Sequence, residues 1–291
     1  LKSSAYQFDP LYLSNMASPA EEDLSAENFA ENFTNDSAMM IAYERALETE
    51  SDTPLFSDPF ARRLAGSKGA MLSEKFGQDA AAPFGFSGWP EFHKTWTVVR
   101  TRFIDDTIAN LVGPDCCLQL VNLGAGFDTR AFRLECLQHA VASFEVDMDV
   151  INSSKVQVFK SFGAAKCPQH LVTADLLNEE SLGAELTASG FETDKPTIFL
   201  AEGLIMYIPT KEEQLLRVIS SLAAPGSALI LNFMTMPACD EAFLRTVLER
   251  EGWTDLCFNE FGDAVLDYGR FNRAFPSSKS FSFLTCKRNT P

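Results

Sequence analysis

The run Leu120-Val121-Asn122-Leu123-Gly124-Ala125-Gly126-Phe127-Asp128-Thr129-Arg130 constrains this chain more than any other feature. It reads as an apolar strand that enters a glycine turn and then opens a helix. An acidic pair, Glu145 and Asp147, follows at the end of a second strand-like run over 140–146. A strand, a glycine turn and a distant acid are the parts of a nucleotide-type pocket. Bare backbone approaches the ligand there, and the carboxylate holds a ribose hydroxyl. The same residues also read as an ordinary strand-to-helix turn with Asp128 as the helix N-cap. The turn taken alone does not choose between the two.

The flanking pattern sets the fold class. Strand-type segments at 117–123, 142–146, 170–173, 197–201 and 228–233 alternate with helical ones, notably 211–223, which stops at Pro225-Gly226. The alternating tail 281–286 predicts a terminal strand. The expectation is an α/β fold with a Rossmann-like, mostly parallel sheet, and ligands at the carboxyl ends of its strands. Upstream, Met39, Met40, Tyr43, Ala46 and Leu47 fall at helical spacing over 36–50, and a second helix is expected at 59–64. The stretch 66–90 reads as a loop or broken helix. A helix over 96–111 carries Val99, Phe103, Ile104, Ile108 and Leu111 on one stripe. These segments predict a loosely ordered arm over 1–35, with a short helix around 19–33. They also predict an N-terminal helical cap over 36–112 and a sheet domain over 113–291.

Charge and composition narrow the partners. A net charge of −16 argues against a phosphate backbone or an anionic membrane surface, because both reward clustered Lys and Arg. No apolar run is long enough to span a bilayer. Seven cysteines without regular spacing read as reduced, mostly core thiols of a cytoplasmic protein. His93, His139 and His170 stand far apart, and Cys136, Cys167 and Cys239 lack partners at metal spacing, so no metal site is expected. The chain begins at Leu1 rather than Met, which is compatible with a removed targeting peptide.

Thr129 stands where a dinucleotide site wants a third glycine. That favours S-adenosylmethionine, which has no phosphates for a helix N-terminus to neutralise. The run Leu123 to Leu134 resembles the signature of the leucine carboxyl methyltransferase family, S-adenosylmethionine-dependent enzymes with a class I, Rossmann-like fold. Further segments match in order: Arg45-Ala46-Leu47-Glu48, Asp58-Pro59-Phe60-Ala61, Arg100-Thr101-Arg102-Phe103-Ile104-Asp105-Asp106 and Phe144-Glu145-Val146-Asp147. They continue with Ala174-Asp175-Leu176, Ala201-Glu202-Gly203-Leu204-Ile205-Met206-Tyr207, Ala224-Pro225-Gly226-Ser227, Gly252-Trp253 and Tyr268-Gly269-Arg270. The resemblance covers 37–287.

The resemblance implies roles. Gly124 and Gly126 pass beneath the methionyl part, and Asp147, rather than Glu145, takes the ribose hydroxyls. Asp175 and Leu176 meet adenine, although Asp175 also reads as a cap of the following helix. Glu202 binds the amino-acid end, where it pairs with the ammonium. Arg102, with Arg100 as the alternative, pairs with the cofactor's carboxylate through its guanidinium fork. Tyr207, which lies by the active site, and His93 in the cap are the candidates for a catalytic base, although an isolated histidine is more often structural. The family's protein-phosphatase branch has an early lysine; here 37–45 contains none, and Arg45 is the candidate stand-in. The expected activity is transfer of a methyl group to a carboxylate or hydroxyl of a small-molecule acceptor by in-line displacement, with a general base needed only for a hydroxyl. A protein C-terminal leucine carboxyl methyltransferase, a non-catalytic S-adenosylmethionine-binding module and a nicotinamide-dependent oxidoreductase are the rivals.

Overall fold

The computed structural model describes residues 26–76, 86–235, 239–270 and 281–289, with side chains from residue 35 onward in the first helix. Most of the arm expected over 1–35 lies outside the described residues. The sheet is seven-stranded: β1 (Gln119–Leu123), β2 (Ser143–Asp147), β3 (Gln169–Thr173), β4 (Thr197–Ala201), β5 (Ala228–Met234), β6 (Trp253–Glu260) and β7 (Phe281–Arg288). Its order is β3-β2-β1-β4-β5-β7-β6. The first five strands pair in parallel, and β7 runs antiparallel between β5 and β6. After β3 the chain returns to the other side of β1, so strand order reverses between β1 and β4. In such sheets the crevice at that reversal, beyond the carboxyl ends of the strands, is where ligands bind.

Eight helices flank the sheet among the described residues: α1 (Ala26–Thr49), α2 (Ala61–Lys75), α3 (Trp89–Leu111), α4 (Arg130–Arg133), α5 (Asp149–Phe159), α6 (Glu179–Ala188), α7 (Glu212–Leu222) and α8 (Glu241–Arg250). Alternation along each central strand sends residues to two faces. Val121, Phe144, Phe199 and Leu229 point to the face covered by α6, α7 and α8. Fully buried Leu215, Leu216 and Ile219 of α7 each contribute about 1.5–3 kcal/mol there. Leu120, Ile198, Leu200 and Ile230 point to the other face, where Ile104 and Ile108 of α3 cover them. Helices α1 and α2 pack on α4 and α5 through Ala42, Leu64, Phe132 and Phe159. Helix α3 belongs to both regions: its first half, with Trp89, Phe92 and Trp96, joins an aromatic cluster with Phe261, Phe281 and Phe283.

Three elements differ from the sequence reading. Helix α3 begins at Trp89, not near 96, because Pro90 sits in the first turn, where its missing N–H costs nothing. Helix α2 runs on to Lys75 across a kink at Gly66 (φ 55°, ψ −162°), the broken-helix form of the expected loop. Strand β6 was not anticipated. It is a sheet-edge strand whose register shifts between Thr254 and Cys257, with Asp255 at φ 54°, so strict alternation is lost. None of the described helices is long and apolar enough to cross a membrane.

Candidate active site

The glycine turn emerges at the carboxyl end of β1. Gly124 and Gly126 have φ of 64° and 48°, a region that costs an ordinary residue roughly 1–2 kcal/mol. A Cβ on Gly124 would stand 2.9 Å from Leu204 Cδ1, and one on Gly126 3.5 Å from the Ala38 methyl of α1. The Gly126 N–H donates to Asp147 Oδ2 at 2.6 Å, and the Met148 N–H donates to Asp147 Oδ1 at 2.8 Å. Asp147 is buried and forms no ion pair among the described residues. Burial pushes its carboxyl above the usual range, and the two backbone donors offset only part of that.

The acidic pair of β2 therefore splits. Glu145 is committed to Lys155, itself fully buried, and accepts from Gln169 Nε2 at 2.7 Å. The N-cap of α4 is Thr129, which makes no side-chain cap bond, and Asp128 stands one residue before it. The Asp128 Oδ1 accepts the Arg130 N–H at 2.6 Å, while Oδ2 accepts from Asn122 Nδ2 at 3.1 Å and pairs with the Arg130 guanidinium. Thr129 turns away from the cleft and donates to Asp58 Oδ2 at 2.7 Å. At the end of β3, Asp175 is exposed and accepts the Leu177 N–H at 2.9 Å. Asn178, not Asp175, caps α6, accepting from Ser181 N at 3.0 Å. Leu176 is half-buried against the main core.

Glu202, just past β4, sits between two arginines. Arg100 Nε donates to Oε1 and Arg130 Nη1 to Oε2, each at 2.7 Å. Burial alone would raise the Glu202 pKa, but Arg130 and Arg100 outweigh it and hold the carboxyl at about 2. Glu202 is therefore already paired before any ammonium arrives. The expected Arg102 is not part of this group. Its Nε goes to Asp106 at 2.8 Å and its Nη1 to the Leu55 carbonyl at 2.5 Å, with the side chain 39% exposed. Two residues apart on a helix means about 200° of rotation, so only Arg100 faces the cleft; its side chain is 6% exposed.

Beneath Glu202 the ion pairs continue. Asp105 accepts from Arg130 Nε at 2.7 Å and from Arg133 Nη1 at 2.6 Å. Arg45 donates to Asp58 at 2.9 Å and to the Phe127 carbonyl at 2.6 Å. Arg45 thus braces the glycine turn instead of standing free as a cation. Arg45, Arg100 and Glu202 are legible as candidates in the sequence, but their joining with Asp58, Asp105, Asp128, Arg130 and Arg133 into one cluster is not, although all lie in the matched segments. The Tyr207 hydroxyl lies 2.9 Å from Ser37 Oγ, and burial around it raises its pKa. His93 is tied through Nδ1 to both oxygens of fully buried Glu44, each at 2.9 Å, alongside Ser73 and Thr97. It joins α1, α2 and α3. Among the described residues no group of His, Cys, Asp and Glu is arranged to hold a metal.

The profile of the leucine carboxyl methyltransferase family matches residues 38–220. A Mycobacterium marinum protein is 34% identical over 204 residues, 68% of this chain and 64% of its own length. A Streptomyces coelicolor protein is 35% identical over 195 residues, 66% of this chain and 63% of its own. This chain belongs to the leucine carboxyl methyltransferase family. Both relatives are provisionally named S-adenosyl-L-methionine-dependent methyltransferases, and the cofactor that goes with this family is S-adenosylmethionine. The chain spans just under two thirds of the length of these relatives. Among solved structures, magnesium protoporphyrin IX methyltransferase from Synechocystis PCC 6803, with S-adenosylmethionine bound, is similar at 15% identity over 76% of this chain and 96% of that one, with a TM-score of 0.45. The chain's own strand order carries its Rossmann-like fold.

Proposed function

We propose that this chain is a cytoplasmic S-adenosylmethionine-dependent O-methyltransferase acting on a carboxylate or hydroxyl of a small molecule. The observation that carries the reading is the arrangement at the β1/β4 reversal. Two positive-φ glycines leave backbone bare between Asp147, a carboxylate with no ion pair among the described residues, and a charged pair, Arg100 and Glu202. Those features fit the three chemical parts of the donor. Asp147 keeps acceptor lone pairs for ribose hydroxyls. Asp175 retains a carboxylate oxygen for an exocyclic amine, with Leu176 beside it for a ring face. Arg100 and Glu202 offer opposite charges to a zwitterionic amino-acid end.

The sulfonium, when bound, supplies an already activated methyl group. What remains for the protein is alignment and exclusion of water. Helix α1 contributes by crossing the glycine turn, with Ala38 over Gly126 and Ser37 at Tyr207. A phenol of raised pKa stays protonated at neutral pH, so Tyr207 serves as a hydrogen-bonding wall of the cleft rather than as a base. An acceptor carboxylate needs nothing further, whereas a hydroxyl acceptor needs a base other than Tyr207.

Calorimetric titration with S-adenosylmethionine and S-adenosylhomocysteine, with NADH as control, tests the reading. Binding of the first two, lost in Asp147→Ala, supports it. Binding of NADH alone, or of nothing, sinks it.

A further inference from the structure

The two arginines that hold Glu202 are held very differently themselves. Among the described residues, Arg100 has one hydrogen-bond partner, Glu202 Oε1, and its guanidinium lies 5.9 Å from the Trp96 ring centre. Arg130 is fastened through Nε, Nη1 and its own backbone N–H. Its Nε goes to Asp105 Oδ1 and its Nη1 to Glu202 Oε2, both at 2.7 Å, and Nη1 also meets Asp128 Oδ2. Its own N–H is taken by Asp128 Oδ1 at 2.6 Å. Asp105 is in turn braced by Arg133, through Nη1 at 2.6 Å and Nη2 at 3.0 Å.

We propose that Arg130, clamped by Asp105, is a positioning residue that fixes Glu202 for the amino-acid end of the donor. This rests on the donor-site reading above. Arg130 keeps Oε2 in place, so that Oε1 is presented in one direction. Arg100, with a single anchor, is the partner that exchanges: its guanidinium turns to the incoming carboxylate as the ammonium takes Oε1. A carboxylate oriented before the ligand arrives loses less rotamer freedom on binding. Neutralisation alone does not account for the arrangement, because Arg100 already supplies a counter-charge. The second arginine, with Asp105 behind it, supplies direction. Gly203 fits the same picture. Its N–H donates to Asn232 Oδ1 at 2.7 Å, which pins the main chain just past Glu202.

The test compares two ligands that differ in the amino-acid end. S-adenosylhomocysteine carries it; 5′-methylthioadenosine keeps the adenosine and thioether without it. The full chain, Asp105→Asn, Asp105→Glu and Arg130→Lys are titrated with each by calorimetry, and melts by circular dichroism check that each variant folds. Asp105→Asn leaves Arg130 in place but loosens it, and Arg130→Lys keeps the charge but loses the fork. The expected result is a loss of about tenfold or more in S-adenosylhomocysteine affinity for both. The 5′-methylthioadenosine affinity should stay within about twofold, with partial recovery in Asp105→Glu. Parallel loss of both ligands, or retention of S-adenosylhomocysteine affinity in variants that fold, overturns the positioning role and leaves the donor site standing. Wild-type protein that binds neither ligand overturns the donor site itself, and this role with it.

Discussion

The two ends of the cleft use carboxylates in opposite ways. Asp147 ends β2 on one side of β1, and Glu202 follows β4 on the other. Asp147 is held by two backbone N–H groups and forms no ion pair among the described residues, and burial outweighs those donors and the nearby Lys155 to raise its pKa. Glu202 lies between two guanidinium groups, which hold its carboxyl at about 2. The first keeps acceptor lone pairs, which the proposed function assigns to neutral hydroxyls, at a cost to the folded state. The second is locked into a charged lattice that joins α3, α4 and β4. Under the proposed function, the sugar and the zwitterion of a single ligand would meet different physics at the two ends.

The largest effect should come from breaking the lattice at its centre. Arg130→Met leaves three carboxylates partly uncompensated, and should lower unfolding free energy in denaturant by about 3–5 kcal/mol. A loss below about 1 kcal/mol would mean that water already screens the cluster.

Asp147→Asn should part stability from binding. It removes a buried, unpaired anion, so the melting temperature of the ligand-free protein should hold or rise. S-adenosylmethionine affinity should fall by about tenfold or more, as a charged acceptor is lost. A melting temperature that drops would show that the two backbone donors, not the missing cation, dominate at this end.

The pH dependence should have opposite signs at the two ends. Glu202 has a depressed pKa, so its contribution is fully present above the unfolded value of 4.5 and fades as pH falls toward about 2. The stability difference between wild type and Glu202→Gln should therefore shrink below about pH 4.5. Asp147 has a raised pKa, so its penalty is absent below the unfolded value of 3.8 and grows as pH rises through the folded one. The advantage of Asp147→Asn should appear only on that rise. Paired denaturation curves across acid pH read both, and matching slopes would erase the contrast.

The smallest effect is expected at Tyr207. Tyr207→Phe removes only the hydroxyl, with its bond to Ser37, and should change S-adenosylmethionine affinity by less than about threefold. A large loss would give the phenol a direct part in holding the donor.

Much of this architecture is legible along the chain because its causes are local. The apolar run at 120–123, the glycines that follow and the acid at 147 announce themselves by type and spacing, and the parallel strands by their apolar runs. Edge strand β6 does not, since its bulge at Asp255 breaks the alternation a reader would count. Helix α3 hides its start because Pro90 reads as a breaker until its place in the first turn is known.

By itself, then, the sequence determined the α/β class, the glycine turn and the carboxylates at the strand ends, because each follows from backbone preference and hydrophobic period. Only the tertiary structure decided that Arg100 rather than Arg102 meets Glu202, that Lys155 claims Glu145 and leaves Asp147 unpaired, and that Arg130 stands behind Glu202. Those outcomes depend on burial and on charges brought from distant segments, and an ion's partner and protonation state are properties of its surroundings rather than of its residue type.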